Sequence, residues 1–333
     1  MNAAAVGDTG AMKTGLVLGA GGLVGMAYHA GVLHALEQEA GFVAGAADLI
    51  VGTSAGSVCG AYLRAGWTTE DFWHLALGDH PELPRIGGDD PIAARRQILT
   101  PTFRSPFDFM RIAVGSAYIA GRSVARGIPL PIPGVLAHLF PGGLFTMDEG
   151  RRRFQEELPA EWPADDLYLC AVDINTGRRV VLGRPGSPEI DLAHAVMASS
   201  AIPGVYKPVR LGRMTLVDGG AHSTSNLDVA VKARCDRIIG VIPLAYDTAS
   251  APNPLHQLLR RWPARSLAGE AAAARGRGVD VLLLRPSADE VRLHGLNMMR
   301  ADGLDDVAKA AYESTCRALA TDRFRSLLTP SAA

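Results

Sequence analysis

At 333 residues the chain has room for about two average domains, or for one large α/β domain that carries insertions. With 48% apolar and 20% charged residues it has the composition of an ordinary globular protein, which excludes disorder for the chain as a whole. Its 33 basic and 34 acidic residues leave a formal charge of -1, without the basic excess of a nucleic-acid binder.

Residues 1–13 are predicted to be a disordered tail, and residues 14–325 a single catalytic domain. A stretch without a full charge follows Lys13 in the manner of a secretory leader. Its glycines, together with His29 and His34 and the lack of an Ala-x-Ala cleavage site, argue against that assignment. The same glycines break it too early for a membrane span. Instead, residues 15–18 read as a buried strand, Gly19-Ala20-Gly21-Gly22 as a turn and residues 24–39 as a helix capped by Gly41. Residues 49–51 form a second apolar strand, followed by Gly52-Thr53-Ser54-Ala55-Gly56 and a helix over 57–64. Strand, glycine turn and helix, twice in succession, open a parallel α/β sheet with both turns at its carboxyl edge.

Between residues 78 and 143 the pattern degrades into recurrent prolines and apolar clusters punctuated by Arg104, Arg111, Arg122 and Arg126. This reads as an insertion of loops and short helices, a lid or substrate-facing cap, with a surface able to dock peripherally on a membrane. Plain packing would leave a similar composition. Regular elements resume with a helix over 148–158, strands over 167–173 and 178–182, and a helix opened by Asp191 and ended by Pro203. A strand stub at 215–217 runs into Asp218-Gly219-Gly220. A helix over 227–234, strands at 237–242 and 279–284, and a last helix capped by Asp302 and running to about Asp322 complete the chain.

Gly52-Thr53-Ser54-Ala55-Gly56 is a G-x-S-x-G at a strand-to-helix turn, the pattern that projects a serine hydroxyl out of a sheet. A purely structural tight turn would leave the same letters. The loop Gly19-Ala20-Gly21-Gly22-Leu23-Val24-Gly25 admits a dinucleotide-binding reading, as in an oxidoreductase, but Val24 stands where the third glycine is needed. Its unobstructed N–H groups equally suit an oxyanion hole, which the neighbouring serine favours. None of the nine histidines stands in a suggestive setting. Asp218, at the end of an apolar strand, is placed to present a carboxylate at the sheet edge, although D-G is also common in ordinary turns. Cys59, Cys170, Cys235 and Cys316 have no C-x-x-C spacing and fit free thiols in a reducing cytoplasm.

These three elements, with Ala198-Ser199-Ser200-Ala201-Ile202-Pro203-Gly204-Val205 before the aspartate, resemble the patatin-like phospholipases over residues 14–78 and 144–245. The resemblance implies a three-layer α/β sandwich with a mostly parallel central sheet. It also implies a serine–aspartate dyad that hydrolyses acyl esters of lipids or phospholipids. Ser54 would be the nucleophile, Asp218 the base, and Gly21 and Gly22 the oxyanion donors, with Gly19, Gly25, Gly52, Gly56, Gly219 and Gly220 as motif glycines. It implies no metal or organic cofactor, and a lipid or other acyl ester as partner. An acyltransferase or thioesterase would share the first half-reaction, and a catalytically silent lipid binder would keep the fold. Val24 stands where the family carries Arg or Lys, so the position is expected to face solvent or substrate and to accept arginine. His222, four residues past Asp218, is the residue that would turn the dyad into a triad.

Overall fold

The computed structural model describes residues 12–83, 100–101, 105–106, 110, 112–113, 117, 142–246 and 254–321. Residues 1–11 of the tail expected at 1–13, and most of the lid expected at 78–143, lie outside the described residues. Strands are β1 (Thr14–Leu18), β2 (Leu49–Gly52), β3 (Asp166–Asp173), β4 (Arg178–Leu182), β5 (Val209–Leu211), β6 (Met214–Asp218), β7 (Arg237–Val241) and β8 (Asp280–Leu284). Helices are α1 (Gly22–Ala40), α2 (Ala55–Arg64), α3 (Thr69–Leu77), α4 (Asp148–Glu157), α5 (Leu192–Ser200), α6 (Asp228–Lys232), α7 (Pro254–Arg275), α8 (Ala288–His294) and α9 (Leu304–Leu319).

These eight strands form one mixed sheet, paired along the path β8-β7-β1-β2-β3-β6-β5, with β4 also on β3, and Thr100–Pro101 pairs antiparallel with Phe145–Thr146 apart from it. From β8 to β3 every pairing is parallel, while β4, β5 and β6 are joined by antiparallel pairings. Period-two alternation distributes the apolar strand residues between two cores. Leu16, Leu18 and Ile50 join the core beneath α1, α2 and α9, whereas Val17, Leu49 and Val51 join the one beneath α6 and α7. A sheet covered on both faces requires such unbroken apolar runs, and the result is the three-layer α/β sandwich.

Gly41 caps α1 in the left-handed conformation (φ 65°), with its N–H on the Glu37 carbonyl at 3.0 Å. Asp191 caps α5 by accepting the His194 N–H at 3.0 Å. The last helix differs from expectation: Gly303 at φ 62°, not Asp302, precedes its first turn. Val24 also differs. It is fully buried in the larger core, and its N–H donates to the Met298 carbonyl at 3.1 Å, so neither solvent nor substrate space opens there.

Close approach of α1 to α9 depends on Gly31, where an added Cβ would lie 2.1 Å from the Ala308 carbonyl oxygen. A backbone oxygen cannot rotate away, so the clash outweighs the roughly 1 kcal/mol that alanine gains over glycine in a helix. Gly31→Ala is therefore expected to destabilise the fold by about 1–3 kcal/mol in urea unfolding. Gly45→Ala, whose Cβ meets only the Leu63 carbonyl at 3.6 Å, should stay within about 0.5 kcal/mol of wild type. Val24→Arg would bury an unpaired cation and is expected to cost about 3–5 kcal/mol or to prevent folding altogether.

Candidate active site

β2 pairs Leu49–Gly52 with β3 residues 166–169, and β6 pairs residues 216–218 with 173–171. β4 occupies the opposite edge of β3, from Leu169 to Asp173. Hence β2 and β6 share one edge of β3 and run toward each other, their carboxyl ends separated by Cys170 alone. Asp218 is the last residue of β6, and Ser54 stands two residues beyond the end of β2.

Ser54 has φ 54° and ψ -119°, a conformation that costs a non-glycine residue roughly 1–3 kcal/mol and has to be held by its surroundings. Several bonds hold it. The Thr53 N–H donates to the Leu18 carbonyl at 3.0 Å, and the Ser57 hydroxyl to the Ser54 carbonyl at 2.6 Å. The Ser54 N–H donates to Ser199 Oγ at 3.1 Å, and that hydroxyl donates to the Cys170 carbonyl at 2.7 Å. The turn also needs Gly56, since a Cβ there would sit 2.0 Å from the Leu18 carbonyl oxygen.

Asp218 is buried, its carboxylate accepts the Gly220 N–H at 2.7 Å, and the Ser54 side chain lies near enough to favour its charged form. Burial pushes its pKa up to about 6, against the opposing effect of those two neighbours. A carboxylate that ionises near neutrality, beside a serine at a strained turn, has the chemistry to accept that hydroxyl's proton.

β1 lies beside β2, Leu18 opposite Gly52, which sets the glycine loop next to this pair. The loop is anchored by bonds from the Gly19 N–H to the Val241 carbonyl and from the Ala20 N–H to the Thr224 carbonyl, both at 2.9 Å. His29 Nε2 donates to the Gly19 carbonyl at 2.9 Å, and burial holds that imidazole neutral by lowering its pKa to about 4. The Gly25 N–H closes back on the Gly21 carbonyl at 2.8 Å. Among the described residues, the N–H groups of Gly21 and Gly22 take no partner. Gly22 sits at φ 61° against the Met298 carbonyl and Met299, a place no side chain would fit.

The structure thus brings Ser54, Asp218, Gly21 and Gly22 to one region at the strand ends. The motif glycines serve it unequally: a Cβ on Gly19, Gly52 or Gly219 would come within 3.0 Å of neighbouring atoms, whereas one on Gly25 would make only ordinary contacts. His222 is half-buried, and its N–H donates to the Gly219 carbonyl at 2.9 Å. His194 pairs with Asp191 at 2.6 Å, and His34 stacks on Trp73 at 4.9 Å between ring centroids. No cluster of three metal-ligating side chains occurs among the described residues, nor does any helix there have the length and apolarity to cross a membrane. Sequence reasoning missed Ser199 and Asn226 as residues of the site. Ser199 lay inside a recognised block without a role, and Asn226 belongs to a polar cluster that reads as plain loop.

A family model described as Patatin-like phospholipase matches residues 16–231. Among solved structures, VipD from Legionella pneumophila aligns at 15% identity and a TM-score of 0.45, covering 93% of this chain and 67% of that one. The type III effector protein ExoU aligns at 15% identity and a TM-score of 0.36, covering 93% and 53%. The ExoU-SpcU heterodimer of the Pseudomonas aeruginosa type III secretion system aligns at 21% identity and a TM-score of 0.30, covering 92% and 59%. This chain therefore spans between about half and two-thirds of the length of those proteins. The family match covers more than half of the chain and includes the glycine loop, Ser54 and Asp218, so the chain belongs to the patatin-like phospholipases, a family of lipid acyl hydrolases.

Proposed function

We propose that this protein cleaves acyl esters of lipids through an acyl-enzyme on Ser54, with Asp218 as the base and the N–H groups of Gly21 and Gly22 as oxyanion donors. The observation that carries the reading is the strained Ser54 turn set beside the buried Asp218 carboxylate at the meeting strand ends, where burial raises that carboxyl to about 6. Ser54 Oγ attacks the ester carbonyl while its proton passes to Asp218. The tetrahedral oxyanion is met by loop N–H groups, each such donor being worth about 3–4 kcal/mol of barrier. Collapse expels the alcohol, which takes the proton from Asp218. Water then repeats the sequence on the acyl-enzyme, with Asp218 again accepting a proton, and frees the acid.

The surroundings of the loop favour this over dinucleotide binding. A pyrophosphate needs the open N–H groups of a helix N-terminus, and at α1 the Val24 N–H is already held by the Met298 carbonyl at 3.1 Å.

A fluorophosphonate probe should label Ser54, as read by mass spectrometry of the labelled peptide. Ser54→Ala and Asp218→Asn should each lower turnover of lipid esters by roughly 10³-fold or more, and the double variant should lose little further. No single His→Ala change should match them, and an inactive but folded His222→Ala would replace the dyad with a triad. Because the base must be ionised, kcat/KM should rise with pH through about 6 and level off above it.

Stability should move the opposite way. The folded pKa of Asp218, about 6, lies above its ordinary value of 3.8, so the folded protein holds that proton more tightly than the unfolded chain does. The stabilisation is present below the unfolded value and is lost as pH rises between these two values. Ionised Asp218 then costs on the order of 3 kcal/mol at neutral pH. Asp218→Asn keeps an acceptor for Gly220 and carries no charge. It is expected to unfold at higher urea than wild type at pH 7, the gap closing toward pH 4.

A further inference from the structure

Behind the serine and the aspartate lies a polar cluster that the acyl-transfer steps do not use. Its centre is Asn226, fully buried and held at φ 51°, a left-handed conformation that asparagine tolerates better than most residues. Its Oδ1 accepts from an Arg179 guanidinium N–H at 2.9 Å. Its Nδ2 donates to Thr53 Oγ1 at 3.0 Å and to the Ser223 carbonyl at 2.6 Å, with the Gly219 carbonyl at 3.5 Å. Thr53 immediately precedes Ser54, and Gly219 immediately follows Asp218. A single carboxamide therefore ties together the neighbours of both reacting side chains.

The orientation of that amide is fixed by chemistry. A guanidinium only donates, so Oδ1 must face Arg179 and the two Nδ2 hydrogens must face Thr53 and the carbonyls. Arg179 is itself immobilised by a two-pronged pair with Asp228, both bonds at 2.6 Å. Although burial works against it, Arg179 and Lys232 hold the Asp228 carboxyl well below the usual carboxylate range. The backbone beneath Asn226 is equally fixed. Its N–H donates to Ser223 Oγ at 3.0 Å, and Glu270 on α7 accepts from Ser223 Oγ at 2.5 Å, Ser225 Oγ at 2.8 Å and the Leu227 N–H at 2.8 Å.

We propose that Asn226, clamped between Arg179 and Thr53, is a positioning residue that fixes the Ser54 turn against the Asp218 turn and so sets the distance across which the serine proton moves. It touches neither substrate nor the reacting atoms. The proposal rests on the Ser54–Asp218 reading. Loss of the clamp should leave substrate affinity intact and lower the rate of the chemical step, because an ångström of misplacement in a donor–acceptor pair costs about 10²-fold.

The test is steady-state ester hydrolysis by Asn226→Ala, Thr53→Val, Thr53→Ser and Asn226→Ala/Thr53→Val, with rates expressed per serine titratable by fluorophosphonate. Unfolded molecules then do not count. Asn226→Ala and Thr53→Val should each lower kcat by about 10²-fold per titrated serine, with KM within about twofold of wild type. Thr53→Ser keeps the acceptor oxygen and should retain nearly wild-type kcat. The double variant should be no slower than the slower single, since both remove the same link. Should Asn226→Ala fail to fold, the contrast of Thr53→Val with Thr53→Ser decides the question from the other end of the bond. An unchanged kcat per titrated serine in the folded variants, or losses that multiply in the double, would overturn the proposal. Wild-type protein that takes no label on Ser54 would overturn the dyad reading itself, and the positioning role with it.

Discussion

Along one edge of β3, β2 hydrogen-bonds as far as Leu169 and β6 as far back as Ala171, so two strands end head to head with Cys170 between them. In a wholly parallel sheet, neighbouring strand ends lie side by side, about one strand spacing apart. Here the antiparallel course of β6 delivers Asp218 from the direction opposite to Ser54, so the two residues approach each other across Cys170. The opening between the strands is bridged by Ser199, which donates to the Cys170 carbonyl and accepts the Ser54 N–H. At Gly219 the chain passes so close that a Cβ would lie 2.3 Å from the Cys170 carbonyl oxygen. The glycine after the aspartate is thus a packing requirement of this meeting.

Two local features of the site oppose stability: a strained φ at Ser54 and a buried carboxylate at Asp218. Both persist because the surrounding structure over-determines them. The strands are covered on both faces by apolar side chains from two separate cores, α2 lies against the sheet with Gly56 and Gly60 at its tightest contacts, and α1 lies against α9 with Gly31 at the closest approach. The polar bonds around Ser54 and Asp218 add direction. Each fixes one backbone segment to another, so the strained turn has no neighbouring minimum into which to relax.

Much of the fold was legible in the sequence, because apolar strands bounded by glycine turns leave a strong pattern. β1, β2, β3 and β4, with the caps Gly41 and Asp191, fall where hydrophobic runs and turn residues place them. The course of β6 against β3 was not legible, since a five-residue strand carries no mark of the direction in which it pairs. Helix α7 contains Pro263 and so lacks an uninterrupted signal. The cap at Gly303 was hidden because Asp302, one residue earlier, is the better cap by residue type. Val24 was misread for another reason. The residue type of a relative was projected onto a position whose burial is set by helix phase and by the Met298 segment, which lies beyond the family match. At the site, Ser54 and Asp218 stand in glycine contexts that announce a turn. Ser199 and Asn226 act through bonds to residues 145 and 173 positions away, and no local pattern records such distances.

A histidine base has an ordinary pKa near 6.5 and needs chiefly to be oriented. A carboxylate starts two units too low and gains basicity by losing water. In the proposed dyad that exchange changes what the fold has to supply. Burial raises Asp218 to about 6, yet the Gly220 N–H and the Ser54 hydroxyl both favour its charged form. The distance between Ser54 and Asp218 therefore affects basicity as well as proton transfer: approach lowers the pKa and eases the transfer, whereas separation raises the pKa and breaks the path. A rigid imidazole between serine and aspartate would relax this demand by spanning the gap. Without one, the demand falls on the backbone turns that carry the two side chains. Ser199 and Asn226 fasten those turns to β3 and to each other.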